Sequence, residues 1–192
     1  MRITITKSLT LLPLLALLWA CNDDTFDSYG NNGNKRPITL SGEIDQTATT
    51  RVNDNGFCNG DEIGVYIVDY QGNTPGTLQN RGNRGDNVKH TYDEATNRWN
   101  SAYDVYWKDE HTPIDVYGYY PFASPDDVNA YTFEVQKDQS TETTTTSMGG
   151  YEASDFLWGK ATNIAPTDRV IMLPMRHRMS SPRITLVEGE GF

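Results

Sequence analysis

Ile114-Asp115-Val116-Tyr117-Gly118-Tyr119-Tyr120-Pro121 is the stretch on which the fold turns. Alternate residues divide into two faces. Ile114, Val116, Gly118 and Tyr120 make one, and Asp115, Tyr117 and Tyr119 the other. Both carry apolar or amphipathic side chains. A half-buried strand shows one apolar face, whereas a strand apolar on both must be covered on each side, so this segment reads as the centre of a sheet. Pro121 brings no N–H to a ladder and ends it.

Working outward, shorter strands flank it. Towards the N-terminus, residues 88–92 and 98–99 read as a hairpin closed by Asp93-Glu94-Ala95-Thr96-Asn97, with Tyr103, Val105 and Trp107 alternating behind it. Residues 62–69 form another strand after the turn residues Asn59-Gly60-Asp61. Ile38, Leu40 and Ile44 alternate with Thr39, Ser41 and Glu43, a strand over 38–45 with a slip at Gly42. Towards the C-terminus, Tyr131, Phe133 and Val135 give a strand, and residues 156–160, 170–175 and 184–187 give three more, bounded by Pro or Gly. Residues 71–87 are rich in glycine and read as a long exposed loop, and 138–147, with Thr143 to Thr146 in a row, as a mobile one. No window keeps a 3.6-residue period over three turns. Short strands with turn signals between them predict an all-β sandwich with long loops.

The N-terminus predicts where the chain goes. Arg2 and Lys7 precede an apolar run from Leu9 to Leu18, followed by Trp19, Ala20 and Cys21. That run is about half of the roughly 20 residues a stable span needs, and Pro13 lies within it, so residues 1–20 read as a cleaved signal peptide. A small residue, Ala20, before Cys21 marks a lipoprotein cleavage site, with Cys21 as the lipidated residue. Residues 21–37 are polar and acidic at the start, a tether between membrane and a domain over 38–192.

Charge and cysteine content exclude some functions. The chain has 16 Lys and Arg against 26 Asp and Glu, a net charge of -10. Loss of Arg2 and Lys7 with the signal leaves 14 basic residues and a charge of -12, which phosphate backbones repel, so nucleic acid is not expected as a partner. With Cys21 lipidated, Cys58 alone remains, and no internal disulfide is possible. Cys58 has no histidine and acid beside it in sequence and reads as a buried or incidental thiol.

Several blocks carry a resemblance. Thr50-Arg51, Gly60-Asp61-Glu62-Ile63-Gly64-Val65-Tyr66, Trp107 with residues 115–122, Asp155-Phe156-Leu157-Trp158-Gly159, and His177-Arg178-Met179-Ser180 before Ile184-Thr185-Leu186 resemble, in order and spacing, the N-terminal half of the fimbrillin family of Mfa-like pilus subunits. Asn22-Asp23-Asp24 behind Cys21 resembles the surface-export signal of Bacteroidales-type lipoproteins. The resemblance implies a transthyretin-like, Greek-key β-sandwich, lipid-anchored at the outer membrane and exposed on the cell surface in a fimbrium. Its partners would be other fimbrial subunits, with receptors on host or bacterial surfaces behind a role in adhesion. In polymerising members an arginine-specific protease removes the first strand and a neighbour's strand fills the groove. The match puts the cut after Arg51, with Arg36 a weaker candidate because Pro37 follows it. Family members continue into a second sandwich, whose C-terminal end usually supplies the donated strand. This sequence stops at Phe192, so the likeness covers an N-terminal domain. A truncated product, a fragment and a short capping or anchoring relative all fit.

Other constellations are sparse. His90, His111 and His177 lack a second ligand at zinc spacing, and no EF-hand pattern is present, so neither metal nor cofactor is expected. His177 reads as a satisfied histidine at the start of a strand. No nucleophile elbow or phosphate loop occurs, and catalysis is not expected. Arg84-Gly85-Asp86 spells an integrin-type tripeptide on an expected exposed loop, a combination that arises easily by chance. Trp99, Trp107, Tyr117 and Tyr119 would stack sugar rings if they shared an exposed face, the basis of an alternative reading as a glycan-binding surface lipoprotein. Within strands such residues are more often core.

Overall fold

The computed structural model describes residues 35–44, 56–144 and 148–179. Seven strands follow in order: β1 (Leu40–Ile44), β2 (Glu62–Asp69), β3 (Gly85–Asp93), β4 (Arg98–Ser101), β5 (Ile114–Tyr120), β6 (Leu157–Ile164) and β7 (Ile171–His177). A single 3-10 turn, Glu152–Ser154, is the one helical element among the described residues. The chain is all-β as expected, and its sheet closes on itself in the order β1-β4-β3-β2-β5-β6-β7. Every neighbouring pair is antiparallel except β1 with β7, which is parallel.

β5 is the centre that its sequence predicts. It lies between β2 and β6, with Ile114, Val116 and Tyr120 buried in the barrel and Asp115 and Tyr119 buried on the outer side. β2 is covered on both faces as well: Ile63, Val65 and Ile67 point inward, and Tyr66 and Val68 are buried outside. The interior is filled mainly by these aliphatic side chains with Val88, Leu157, Leu173 and Met175, and aromatic Phe57, Trp99 and Tyr120 gather together. Gly118 and Gly159 serve close packing. A β-carbon on Gly118 would lie 2.4 Å from Leu173 Cδ2, and one on Gly159 2.8 Å from Met175 Sδ. Small residues opposite large ones are how a narrow barrel fills its interior.

A bulge interrupts the ladder between β5 and β6, where the register moves from Ile114 opposite Ile164 to Val116 opposite Ala161. Asn163 takes a left-handed φ of 53° there, and buried Asp115 accepts its backbone N–H at 2.9 Å. The other carboxylate oxygen lies 3.3 Å from Lys160 Nζ and accepts from the Tyr117 hydroxyl, also at 3.3 Å. A buried carboxylate is tolerable because each oxygen has a partner.

Three expected elements differ. Residues 131–135 are not a strand: Tyr131 and Phe133 pack as side chains against Phe156, at ring distances of 5.9 and 4.9 Å, outside the sheet. Both edges of β5 are taken by β2 and β6, leaving no ladder for this segment to join. Residues 103–107 give one bridge, Tyr106 with Pro37, in place of a strand. The segment 71–87 contains the start of β3 at Gly85, so Arg84-Gly85-Asp86 is no exposed loop. Gly85 is buried, the Arg84 guanidinium holds the Asp69 carboxylate, and Asp86 accepts from Gly82 and Asn83. The expected strand at 184–187 lies outside the described residues.

Candidate functional site

β1 is the strand that closes the sheet. Without it, β4 and β7 would be the two ends of a six-stranded antiparallel sheet. Its two seams are unequal. Towards β7 the register runs from Leu40 opposite Ile171 to Ile44 opposite Met175, while towards β4 a single pair, Leu40 opposite Trp99, is formed. Residues 36–38 continue the strand backwards along 105–107: Ile38 N–H donates to Val105 O at 2.8 Å and Trp107 N–H to Arg36 O at 3.0 Å.

The inward residues of this segment are Ile38, Leu40, Gly42 and Ile44, an unbroken period of two. The slip expected at Gly42 is absent. Glycine stands there because the Trp99 indole occupies the space a side chain would need: a β-carbon at position 42 would be 2.2 Å from Trp99 Nε1 and 2.9 Å from Cε2. Phe57 and Tyr92 pack on the same indole, with ring centroids 4.8 and 5.0 Å away. Ile38 and Leu40 are 6% and 1% exposed, and burial of such side chains stabilises by roughly 2 kcal/mol each. Removing the segment would uncover Trp99, Ile171 and Leu173 together with the backbone edges of β4 and β7, a slot that suits an extended chain.

The residues expected to process or anchor the chain divide by location. Ala20, Cys21 and Arg51 lie outside the described residues, Arg51 within 45–55, which follow β1. Arg36 is described and is held: Nε is 3.2 Å from Asp168 and Nη2 3.8 Å from Glu110, and its carbonyl is tied to Trp107. A protease needs an accessible, extended backbone, so the pairing of Arg36 adds to the protection Pro37 gives.

The aromatic residues do not make an exposed row. Trp99, Trp107 and Tyr119 are 4%, 8% and 6% exposed, the first two within the core. Tyr119 lies outside the barrel, its hydroxyl donating to Ala123 O at 2.6 Å, and burial pushes its phenol well above the usual range. Tyr117 is half-buried beneath Lys160, whose Nζ sits 4.6 Å from the ring centre. Trp158 is half-buried too, with the Arg178 guanidinium 5.0 Å above it.

The remaining polar groups are structural in their surroundings. His177 stands at the end of β7, not the start of a strand, and its Nδ1 is 2.9 Å from Asp155 Oδ1 in a buried pair. Burial lowers the pKa of His90, opposed by a contact from its Nδ1 to Val88 O at 3.0 Å. Cys58 is exposed rather than buried, in a turn where its N–H donates to Asp61 at 2.8 Å. No group of His, Cys, Asp and Glu suited to a metal occurs among the described residues. The Gly42–Trp99 contact and the Asp115 cluster are what the residue pattern had not disclosed. A lone glycine inside an alternating strand was the available signal for the first.

Comparisons with known proteins fit this architecture. The family model described as fimbrillin-like matches residues 50–192. Among solved structures, a fimbrial protein from Bacteroides ovatus aligns with a TM-score of 0.50 and 22% identity, over 77% of this chain and 29% of that one. A candidate cell adhesion protein from Bacteroides ovatus aligns with a TM-score of 0.50 and 18% identity, over 75% and 53%. One from Bacteroides uniformis gives 0.49 and 19%, over 74% and 47%. This chain thus spans about half or less of the length of these structures. No curated protein matches it.

Proposed function

Because the chain belongs to the fimbrillin-like family, we propose that it is a surface-lipoprotein subunit or accessory component of a fimbrium that assembles by losing β1 and accepting a strand from a neighbour. The observation that carries this reading is the place of β1, slotted between the ends of a six-stranded sheet. A cut after Arg51 would separate β1 from β2 in sequence, leaving pairing and burial alone to hold it. The slot it vacates has unpaired backbone on both sides and an apolar floor, surface that another strand satisfies.

The finer parts of the reading go with it. Lipidation at Cys21 after cleavage behind Ala20 anchors the chain in the outer membrane, exposed at the surface, where other fimbrial subunits and receptors on host or bacterial cells are its partners. We read the sheet as the transthyretin-like Greek key of the family. The order β5-β2-β3-β4, in which β5 returns beside β2 after a meander, supports this. The protein works by assembly, without catalysis or cofactor. The glycan-binding alternative needs an exposed aromatic platform, and the burial of Trp99, Trp107 and Tyr119 speaks against it.

Limited digestion of residues 21–192 with an arginine-specific protease tests this, followed by mass determination and size-exclusion chromatography. The expected result is one cut after Arg51 and a folded remainder that oligomerises or takes up a peptide of residues 38–45. Resistance at Arg51, or a clipped chain that stays a monomer and ignores the peptide, would sink the strand-exchange reading.

A further inference from the structure

We infer that Trp99 selects the strand that can occupy the slot of β1, admitting one of another chain that repeats the pattern Ile38-x-Leu40-x-Gly42-x-Ile44 and rejecting one with a side chain at the position of Gly42. This deepens the strand-exchange reading and rests on it. The occupant that β1 itself exemplifies buries Ile38 and Leu40, half-buries Ile44, and has no side chain at the remaining inward position, Gly42. The exclusion is steric. A β-carbon at position 42 would overlap Trp99 Nε1 at 2.2 Å and meet Cζ2 at 3.2 Å. An exposed flexible side chain would swing away from such a contact. Trp99 is a rigid bicycle, 4% exposed, with Phe57 and Tyr92 packed against it, so swinging it aside would displace those rings as well.

The opposite seam holds the register that brings position 42 there. Leu40, Gly42 and Ile44 lie opposite Ile171, Leu173 and Met175, and those three residues of β7 are buried. A slip by one residue would turn the apolar set outward, and a slip by two would bring the side chain of Leu40 or Ile44 to the place where Gly42 faces the indole ring. The filter therefore acts on one position of the incoming strand.

The chain supplies a contrast in its own sequence. Ile184-Thr185-Leu186-Val187-Glu188 repeats Ile38-Thr39-Leu40 and then places Glu188 where β1 has Gly42. In that register a second copy offering residues 184–190 would bring a glutamate against the indole.

The test uses residues 21–192 cleaved by an arginine-specific protease, with fluorescent peptides offered in trans and binding read by anisotropy. The peptide of residues 38–44 should bind. Its Gly42→Val form should bind about tenfold or more weakly, as overpacking of a rigid site predicts, and a Ser41→Val form, altered on the outer face, should stay within about threefold. The peptide of residues 184–190 should be poor, and Glu188→Gly should improve it. Trp99→Leu in the receiving chain should narrow the gap between the unaltered peptide and its Gly42→Val form; if that variant fails to fold, the peptide series on the native chain decides. Equal binding of the unaltered and Gly42→Val peptides would overturn the filter while leaving strand exchange intact. A clipped chain that binds none of the peptides would overturn both.

Discussion

β5 and β1 belong to one sheet and are held in opposite ways. β5 has long antiparallel ladders on each side, to β2 and β6, and covered faces both inside and outside the barrel. β1 has one full ladder, a single pair on its other side, and an outer face where Ser41 and Glu43 meet solvent. The difference teaches that the β1 segment adds Ile38 and Leu40 to the core without supplying the backbone neighbours of the central strands. The apolar centre around Ile63, Val65, Ile114, Val116 and Leu157 belongs to β2, β5 and β6 and does not depend on β1 for its sheet neighbours.

The comparison breaks if both strands matter equally. Ile114→Ala in β5 should cost about 3 kcal/mol by chemical denaturation, as truncation of a fully buried isoleucine does, in the intact chain and in the chain clipped after Arg51 alike. Leu40→Ala should cost a similar amount in the intact chain and nothing in a clipped remainder from which β1 has left. Equal losses in both forms for Leu40→Ala would mean that β1 stays part of the core. Asp115→Ala should cost about 2 kcal/mol, since it removes the acceptor for Asn163 N–H at the bulge and leaves the partly exposed Lys160 ammonium without this partner. A denaturation midpoint within error of the parent would remove Asp115 from what holds β5 and β6 together.

A pH series sharpens the contrast on a smaller scale. Burial lowers the pKa of His90 in the fold, so below its ordinary value of 6.5 the unfolded chain binds a proton that the folded one resists. The contribution of His90 is therefore present above pH 6.5 and lost as the pH falls below it. His90→Gln should flatten that part of the stability profile, and an unchanged slope would refute the assignment. Arg36→Ala should have the smallest effect, within about 0.5 kcal/mol, because its partners Glu110 and Asp168 are exposed. A loss several times larger would give the N-terminal end of the β1 segment more weight than its geometry does.

What the sequence disclosed follows where side-chain pattern and backbone pairing coincide. The two apolar faces of residues 114–120 and the run 62–69 locate the centre of the sheet, since such residues have nowhere else to go. Tyr131 and Phe133 alternate just as well and form no strand, because pattern reports burial and not whether a neighbour has an edge to offer. The identity of Gly42 looked like a fault in a strand and is a fit to a ring distant in sequence. Trp99 and Trp107 read more readily as core than as a sugar platform, and both are buried. The candidate site was legible as a strand, while the fit of Gly42 to Trp99 depended on a contact between residues far apart in the chain.

One property of β1 reaches beyond the domain. It runs alongside β7 in the same sense, whereas all other neighbours in the sheet run oppositely. A tight hairpin joins antiparallel strands only, so no segment following β7 through a short turn could take the place of β1 in the sense that β1 runs. In the proposed exchange, a strand from a neighbour running in the sense of β1 would enter from a fixed end, so each joint would repeat one asymmetric step, donor behind and acceptor ahead. If strands are passed from one copy to the next as proposed, rather than swapped reciprocally between two, the run of joints would be polar, with two chemically different tips.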